Sequence, residues 1–289
     1  MTPPPWKAYL SLCKPKVVAL IVFTAVIGMF LAVPGAPPLG NVLYGTLGIA
    51  LAAASAAAIN HYLDRQADAH MARTRRRPLP QGQLNPARVL GFAGLLGATG
   101  MYILVTQVNM LTAVLTFLSL IGYAVIYTVY LKRMTPQNIV IGGAAGAAPP
   151  VLGWCAVTGE VHPYALLLFL LVFVWTPPHF WALAVAKEEE YARAEIPMLP
   201  VTHGAEFTRL HILLYTILLG VVSLLPYATG MSGTLYLAGV VPLDIVFLYF
   251  ALLLKRTASN AVAMRTFGYS ILYLTLVFAL LLADHYLRA

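Results

Sequence analysis

Asn60-His61-Tyr62-Leu63-Asp64-Arg65-Gln66-Ala67-Asp68 follows directly on the apolar run 41–59. Asn60, Asp64 and Asp68 recur every fourth residue. On an α-helix each such step turns the side chain by about 40° and rises about 6 Å. The amide and the two carboxylates therefore share one face near the end of a membrane helix. An acceptor cluster of this kind repels itself unless a cation sits among its oxygens. Mg2+ suits it, taking a few carboxylates together with substrate phosphates. A solvated helix end with ordinary charges would explain the same residues, but ionisable groups at a membrane boundary favour the functional reading.

Composition sets the class. Of 289 residues, 60% are hydrophobic and only 10% charged, with a mean hydropathy of +0.81. That excludes an ordinary soluble domain and a disordered chain. The formal charge of +8 would raise the question of nucleic acid in a soluble protein. Here the excess of Lys and Arg on one side of a membrane explains it, and no nucleic-acid partner is expected. Cys13 and Cys155 lie far apart without a CxxC partner, so neither a disulfide nor a metal site is expected from them. The first apolar run has no small-residue cleavage signature after it and reads as a retained helix.

Nine apolar spans follow from the hydropathy pattern, at about 17–33, 39–59, 88–107, 109–130, 138–157, 163–185, 209–229, 233–254 and 267–286. The fold class is thus an all-α, polytopic membrane helix bundle, with 1–289 read as a single transmembrane domain. Lys and Arg occupy alternate connections: Lys7, Lys14 and Lys16 before the first span, Arg65 to Arg88 after the second, Lys132 and Arg133 after the fourth, Lys187 to Arg209 after the sixth, and Lys255 to Arg265 after the eighth. The intervening loops 34–38, 107–109, 158–162 and 229–233 hold none. The N-terminus is therefore expected in the cytoplasm and the C-terminus on the far, periplasmic side. Two cytoplasmic loops are long, at about 60–87 and 186–208. Loops of that length in a compact bundle are usually functional.

Both loops hold chemistry-bearing residues. In the first, Arg73, Arg75, Arg76 and Arg77 follow the two aspartates. Arg forks bind phosphate oxygens bidentately, and the same residues could grip anionic lipid headgroups. In the second, a continuous span-six helix would place Lys187 and Tyr191 four residues apart on one face, with Glu190 beside them. A Lys, a carboxylate and a phenol could complete a phosphate and metal site opposite Asp64 and Asp68; a solvated acidic helix end is the alternative. Lys132 could reach phosphate or snorkel to the interface. Pro177-Pro178 should kink or unwind span six, next to Trp175, His179, Phe180 and Trp181. Those aromatic faces could stabilise a carbocation or form an interface belt. The small residues of 142–148 suit close helix packing. No phosphate-binding Gly-rich loop, nucleophile elbow or Cys/His metal pattern appears.

Three segments carry a resemblance: Asn60 to Asp68 running on to Arg73-Thr74-Arg75-Arg76-Arg77-Pro78-Leu79; Leu131-Lys132-Arg133-Met134-Thr135-Pro136-Gln137-Asn138 running to Gly146; and Pro177-Pro178-His179-Phe180-Trp181-Ala182-Leu183 running to Ile196-Pro197-Met198-Leu199-Pro200. The first resembles the UbiA superfamily of intramembrane prenyltransferases, and the other two resemble its protohaem-farnesylating branch. The resemblance implies a multi-pass protein of a bacterial inner membrane. It implies Mg2+ as cofactor, farnesyl diphosphate and haem b as substrates, the lipid bilayer as surroundings, and haem A synthase or terminal-oxidase assembly factors as protein partners. It further implies that Asn60, Asp64, Asp68, Lys187, Glu190 and Tyr191 are catalytic and that Asn60, Asp64, Asp68 and Glu190 hold metal. Lys14, Arg65, Arg73, Arg77 and Lys132 would bind diphosphate, and His179, Trp181 and Tyr127 would line the acceptor pocket. That branch usually carries Asp at the position of Glu190, so this chain departs from it by a longer side chain of the same charge. A sister prenyltransferase acting on a quinone or chlorophyll precursor would share the carboxylates. A polytopic transporter would place its charges near the midplane between broken inverted repeats, whereas here they gather at the cytoplasmic ends.

Overall fold

The computed structural model describes residues 5–72 and 74–288. Twelve α-helices of six residues or more organise them, and no strand occurs among the described residues. They are α1 (Pro5–Leu12), α2 (Pro15–Leu31), α3 (Leu39–His70), α4 (Pro86–Ile103), α5 (Met110–Ile121), α6 (Asn138–Ala147), α7 (Pro149–Thr158), α8 (Pro163–Ala186), α9 (Glu188–Arg193), α10 (Leu199–Ser223), α11 (Thr234–Thr257) and α12 (Asn260–Arg288). Eight stretches of the described residues are long and apolar enough to cross a membrane. The bent pair of α1 and α2, angled by 50°, makes a ninth. The spans expected from hydropathy are recovered, and α10 begins ten residues before the expected 209.

The helices close on themselves. α3 lies against α4, α8 against α10, α10 against α11, α11 against α12, and α12 returns to α2. The broken span of α6 and α7 packs inside this ring, α6 on α8 and α7 on α2. Its small residues let the backbones approach. At Gly153 a Cβ would stand 1.9 Å from the carbonyl oxygen of Ala25, and at Gly28 it would stand 2.3 Å from that of Pro150. The largest buried cluster, with Trp154, Trp175, Tyr236, Phe247, Tyr273 and Phe278, fills the middle of the bundle.

Two expectations need correction. α8 continues as a helix through Pro177 and Pro178 rather than unwinding. In a buried membrane helix freed backbone groups can be satisfied by their surroundings, and directly before the prolines the Thr176 hydroxyl adds a bond to the carbonyl of Val172, one turn back, at 2.8 Å. The helix then stops sooner than expected: Lys187, at φ −125°, separates α8 from α9. Lys187 and Tyr191 therefore do not share one continuous helix.

Span four also departs from plain α geometry. After α5 the chain runs as a π-helix over Gly122–Leu131 before the short helical turn Lys132–Met134. Widened turns of this kind occur often at functional sites. This one carries Tyr123, Tyr127, Thr128 and Lys132 to the open end of α3.

Candidate functional site

Asn60, Asp64 and Asp68 lie on about the last three turns of α3, each no more than 4% exposed. Three separate segments bring cations to them. Lys14 sits between α1 and α2 in the left-handed region (φ 47°, ψ 60°), and its Nζ donates to Asn60 Oδ1 at 2.5 Å. Lys132 Nζ donates to Asp64 Oδ2 at 2.5 Å. Arg77 Nη1 donates to Asp68 Oδ2 at 2.6 Å. The Asn60 amide links the group, donating from Nδ2 to Asp64 Oδ2 at 2.8 Å and to Thr128 Oγ1 at 3.3 Å.

The turn beyond α3 explains why Arg77 reaches the site while its neighbours do not. Helix α3 ends as Met71 turns extended (φ −103°, ψ 129°). The buried Thr74 then donates its hydroxyl to the Asp68 carbonyl at 3.0 Å, and Arg77 N bonds back to the Thr74 carbonyl at 2.9 Å. This fold-back turns Arg77 inward and leaves Arg75 and Arg76 exposed. Arg73 lies outside the described residues.

The electrostatics of the group are lopsided. Lys14, Arg77 and Lys132 converge on two carboxylates. Burial and the neighbouring Arg77, reinforced by Lys132, push the Lys14 ammonium from 10.5 down to about 7 against the pull of Asp64 and Asp68. A buried cluster with surplus positive charge is arranged for an anion. The oxygens also fit Mg2+ in one specific sense. Among the described residues no group of three or more His, Cys, Asp or Glu side chains forms a dedicated metal cage. Two carboxylates and an amide are the hard, incomplete donor set of a Mg2+ that takes its remaining ligands from substrate phosphates.

Several expected site residues stand elsewhere. Arg65 lies on the other side of α3: its guanidinium stacks on Tyr62 at 4.4 Å and donates to the Tyr62 carbonyl at 2.7 Å. It lines an outer groove with Gln66, Leu84 and Asn85. Lys187 Nζ pairs with Glu190 Oε1 at 3.0 Å, and Glu190 does not join Asp64 and Asp68 in a three-carboxylate group. Tyr191 is buried in one apolar cluster with Met71, Ile139 and Trp181, which holds the second loop beside the first. His179 and Trp181 point to different partners. Trp181 packs edge-on against His211 and Tyr215. His179 is stacked between Trp175 at 4.3 Å and Phe267 at 4.6 Å, with Nδ1 2.7 Å from Ser270 Oγ. Because Ser270 Oγ donates its proton to the Phe267 carbonyl at 2.7 Å, Nδ1 is the donor to it and Nε2 keeps its lone pair. Tyr127 stacks on Tyr123 at 5.5 Å and lies flat on Gly142, where a Cβ would meet its ring at 2.2 Å.

Sequence reasoning missed Thr128, which accepts from Asn60 Nδ2, and did not single out the buried His61 or Tyr123, which stacks on Tyr127. Thr128 and Tyr123 had no usable signal, because the π-helix shifts which span-four residues face α3. His61 follows Asn60 directly, and only its burial singles it out.

With this geometry in view, likeness to known proteins is informative. A model of the UbiA prenyltransferase family matches residues 21–282. The chain belongs to the UbiA prenyltransferase family. It is accordingly an enzyme that transfers prenyl groups. This prenyltransferase is 68% identical over 282 residues to the protoheme IX farnesyltransferase of Methylococcus capsulatus, covering 98% of this chain and 95% of the relative. It is 62% identical over 282 residues to the protein of the same name from Alkalilimnicola ehrlichii, covering 98% and 93%. Among solved structures, a digeranylgeranylglyceryl phosphate synthase shares its fold, with a TM-score of 0.81 at 19% identity over 98% of this chain and 99% of that one. A UbiA homolog from Archaeoglobus fulgidus bound to DMAPP and Mg2+ matches with a TM-score of 0.65 at 17% identity, covering 94% and 98%.

Proposed function

We propose that this prenyltransferase moves the farnesyl group of farnesyl diphosphate onto a vinyl group of haem b, with addition of water, in the cytoplasmic membrane of a bacterium. The observation that carries the site assignment is the convergence of Lys14, Arg77 and Lys132 on the buried Asn60, Asp64 and Asp68. The acceptor and chain length are supported by the names of relatives at 62–68% identity. The charge distribution of the loops supports one transmembrane domain over 1–289, with the N-terminus and the diphosphate site on the cytoplasmic side.

Asn60, Asp64 and Asp68 would hold Mg2+. When bound, the ion would supply positive charge that stabilises the diphosphate leaving group. The chain's own residues do the rest. Lys132 and Arg77 exchange their carboxylate partners for diphosphate oxygens, and Lys14 approaches from the α1–α2 junction. The allylic C–O bond breaks and its electron pair leaves with diphosphate, stabilised by these preorganised cations. The vinyl π pair of haem b forms the new C–C bond. Water adds to the resulting cation and loses a proton, leaving a hydroxyethylfarnesyl substituent. His179, with Nε2 bearing its lone pair, and the stacked Tyr123–Tyr127 pair contribute to the acceptor side. Lys187 and Glu190, an ion pair on the adjoining loop, contribute at the entrance.

Membranes containing the protein, incubated with haem b, farnesyl diphosphate and Mg2+, test this by product mass. A haem heavier by farnesyl plus water, absent with EDTA, is expected. Farnesyl diphosphate consumed with Mg2+ while haem stays unchanged would replace the acceptor and keep the site. Neither substrate changing, with folded protein, would overturn both.

A further inference from the structure

His61 is 3% exposed, yet neither Nδ1 nor Nε2 has a hydrogen-bond partner among the described residues. The contrast with His179, whose Nδ1 is held by Ser270, is sharp. Burying a polar group without a partner is costly, and such groups in native proteins call for an explanation. Position supplies one. Relative to Asn60, His61 is turned by about 100° around α3 and Asp68 by about 80°, so imidazole and carboxylate lie on nearly the same strip of the helix. The charges that the ring experiences come from Lys14 and Arg77, the cations engaged with Asn60 Oδ1 and Asp68 Oδ2. A neutral imidazole offers one N–H and one lone pair. What complements a buried N–H between two cations is an anionic oxygen that those cations also attract.

We propose that His61 hydrogen-bonds the diphosphate headgroup of the prenyl donor and positions it between Lys14 and Arg77. This rests on the prenyl-diphosphate reading of the site. Among the described residues the ring nitrogens are unpartnered; in the complex one donates to a diphosphate oxygen. His61 is thus a donor-binding residue, separate from the acceptor side.

The experiment uses the full-length protein in detergent with Mg2+. It measures binding of farnesyl thiolodiphosphate, an unreactive analogue, alongside the thermal midpoint of the empty protein. His61→Phe keeps the ring volume and removes both nitrogens. It is expected to weaken analogue binding about 10-fold, one hydrogen bond to a charged group, while leaving the midpoint equal to wild type or higher, because two unsatisfied polar atoms leave the interior. His61→Asn and His61→Gln restore an N–H, and the better of them should bind within about 3-fold of wild type. KM for farnesyl diphosphate should follow the binding constants and KM for the haem acceptor should not move. Unchanged analogue binding by His61→Phe, or a lowered midpoint with unchanged binding, overturns the inference alone. A wild-type protein that binds no analogue overturns the underlying reading and this inference with it.

Discussion

Replacing Asp64 by Asn tests the core of the site, because the structure specifies both a loss of function and a coupled loss of stability. Asp64 Oδ2 accepts from Lys132 Nζ at 2.5 Å, with side-chain exposures of 4% and 17%. Removing one member of such a pair strands the other charge and costs about 3 kcal/mol, the low end because Lys132 is partly exposed. Lys132→Met should cost about 3 kcal/mol by the same reasoning. If the two changes were independent, the double variant would lose about 6 kcal/mol. Since each strands the other's partner, the double variant should recover about 2–3 kcal/mol of that sum. At about 2 °C per kcal/mol for a chain of this size, each single variant should melt roughly 6 °C below wild type and the double variant close to the singles. Turnover behaves differently. All three variants should lose on the order of 10³-fold in activity, the scale of removing one preorganised electrostatic group, and the double variant recovers none of it. The assay is thermal unfolding of purified protein in detergent beside product formation from farnesyl diphosphate and haem b. Additive midpoint losses would refute the pairing of Asp64 with Lys132, and wild-type turnover by Asp64→Asn would refute the site.

Further outcomes follow from the geometry. As pH rises through about 7 the free enzyme's Lys14 sheds its proton, so kcat/KM for farnesyl diphosphate should fall above that value and Lys14→Arg should flatten the decline. The stability of the empty protein should change in the opposite sense, rising from about pH 7 toward 10.5 because the unfolded lysine holds its proton longer than the folded one; a fall across that window in wild type, absent from Lys14→Arg, would contradict the assignment. Gly153→Ala places a Cβ 1.9 Å from the Ala25 carbonyl oxygen and should cost at least about 1–3 kcal/mol, whereas Gly146→Ala, with nothing within 4 Å, should be neutral or raise the melting point. Asp284, fully buried, accepts from the backbone N–H of Gly233 and Tyr236 at the start of α11; Asp284→Ala should cost about 1–2 kcal/mol with specific activity of the folded fraction unchanged. Mg2+ titrated calorimetrically into the empty protein should bind weakly and gain at least about 10-fold in affinity with inorganic diphosphate present; equal affinities would contradict a metal bridged by substrate.

What was legible in the sequence was periodic. The nine spans are set by apolar run length, and the Asn60–Asp64–Asp68 face follows from helix geometry alone. What was not legible depended on departures from periodicity. Four clustered arginines look alike in sequence, and only the fold-back fixed by Thr74 distinguishes Arg77 from the exposed Arg75 and Arg76. The π-helix over Gly122–Leu131 re-aims Thr128 toward Asn60, a shift that no glycine or proline pattern marks. The break at Lys187 is equally silent, and it replaces the expected Lys187–Tyr191 face with a local Lys187–Glu190 pair. Conversely, Pro177-Pro178 signals a kink or an unwound turn, and α8 runs as helix through both residues without unwinding. The resemblance places Arg65 among the phosphate ligands, whereas its three-residue spacing from Tyr62 matches the stacking partner it adopts.

The length of α3 explains how so polar a site is kept dry. Counted from Leu39, Asn60 stands roughly 32 Å and Asp68 roughly 44 Å along the helix, against a hydrocarbon core of about 30 Å. The carboxylates therefore stand at and beyond the membrane boundary, where water would ordinarily screen them. Protein takes over from lipid there: the α1–α2 junction with Lys14, the turn through Thr74 and Arg77, and the π-widened end of span four with Thr128 and Lys132 enclose them. Each of these covers also supplies a group that touches the oxygens it shields. Desolvation and charge neutralisation thus come from the same residues. On the proposed reading a charged headgroup would exchange with Lys132 and Arg77 at the boundary while its apolar tail stays in the bundle, so that neither half would cross the environment suited to the other.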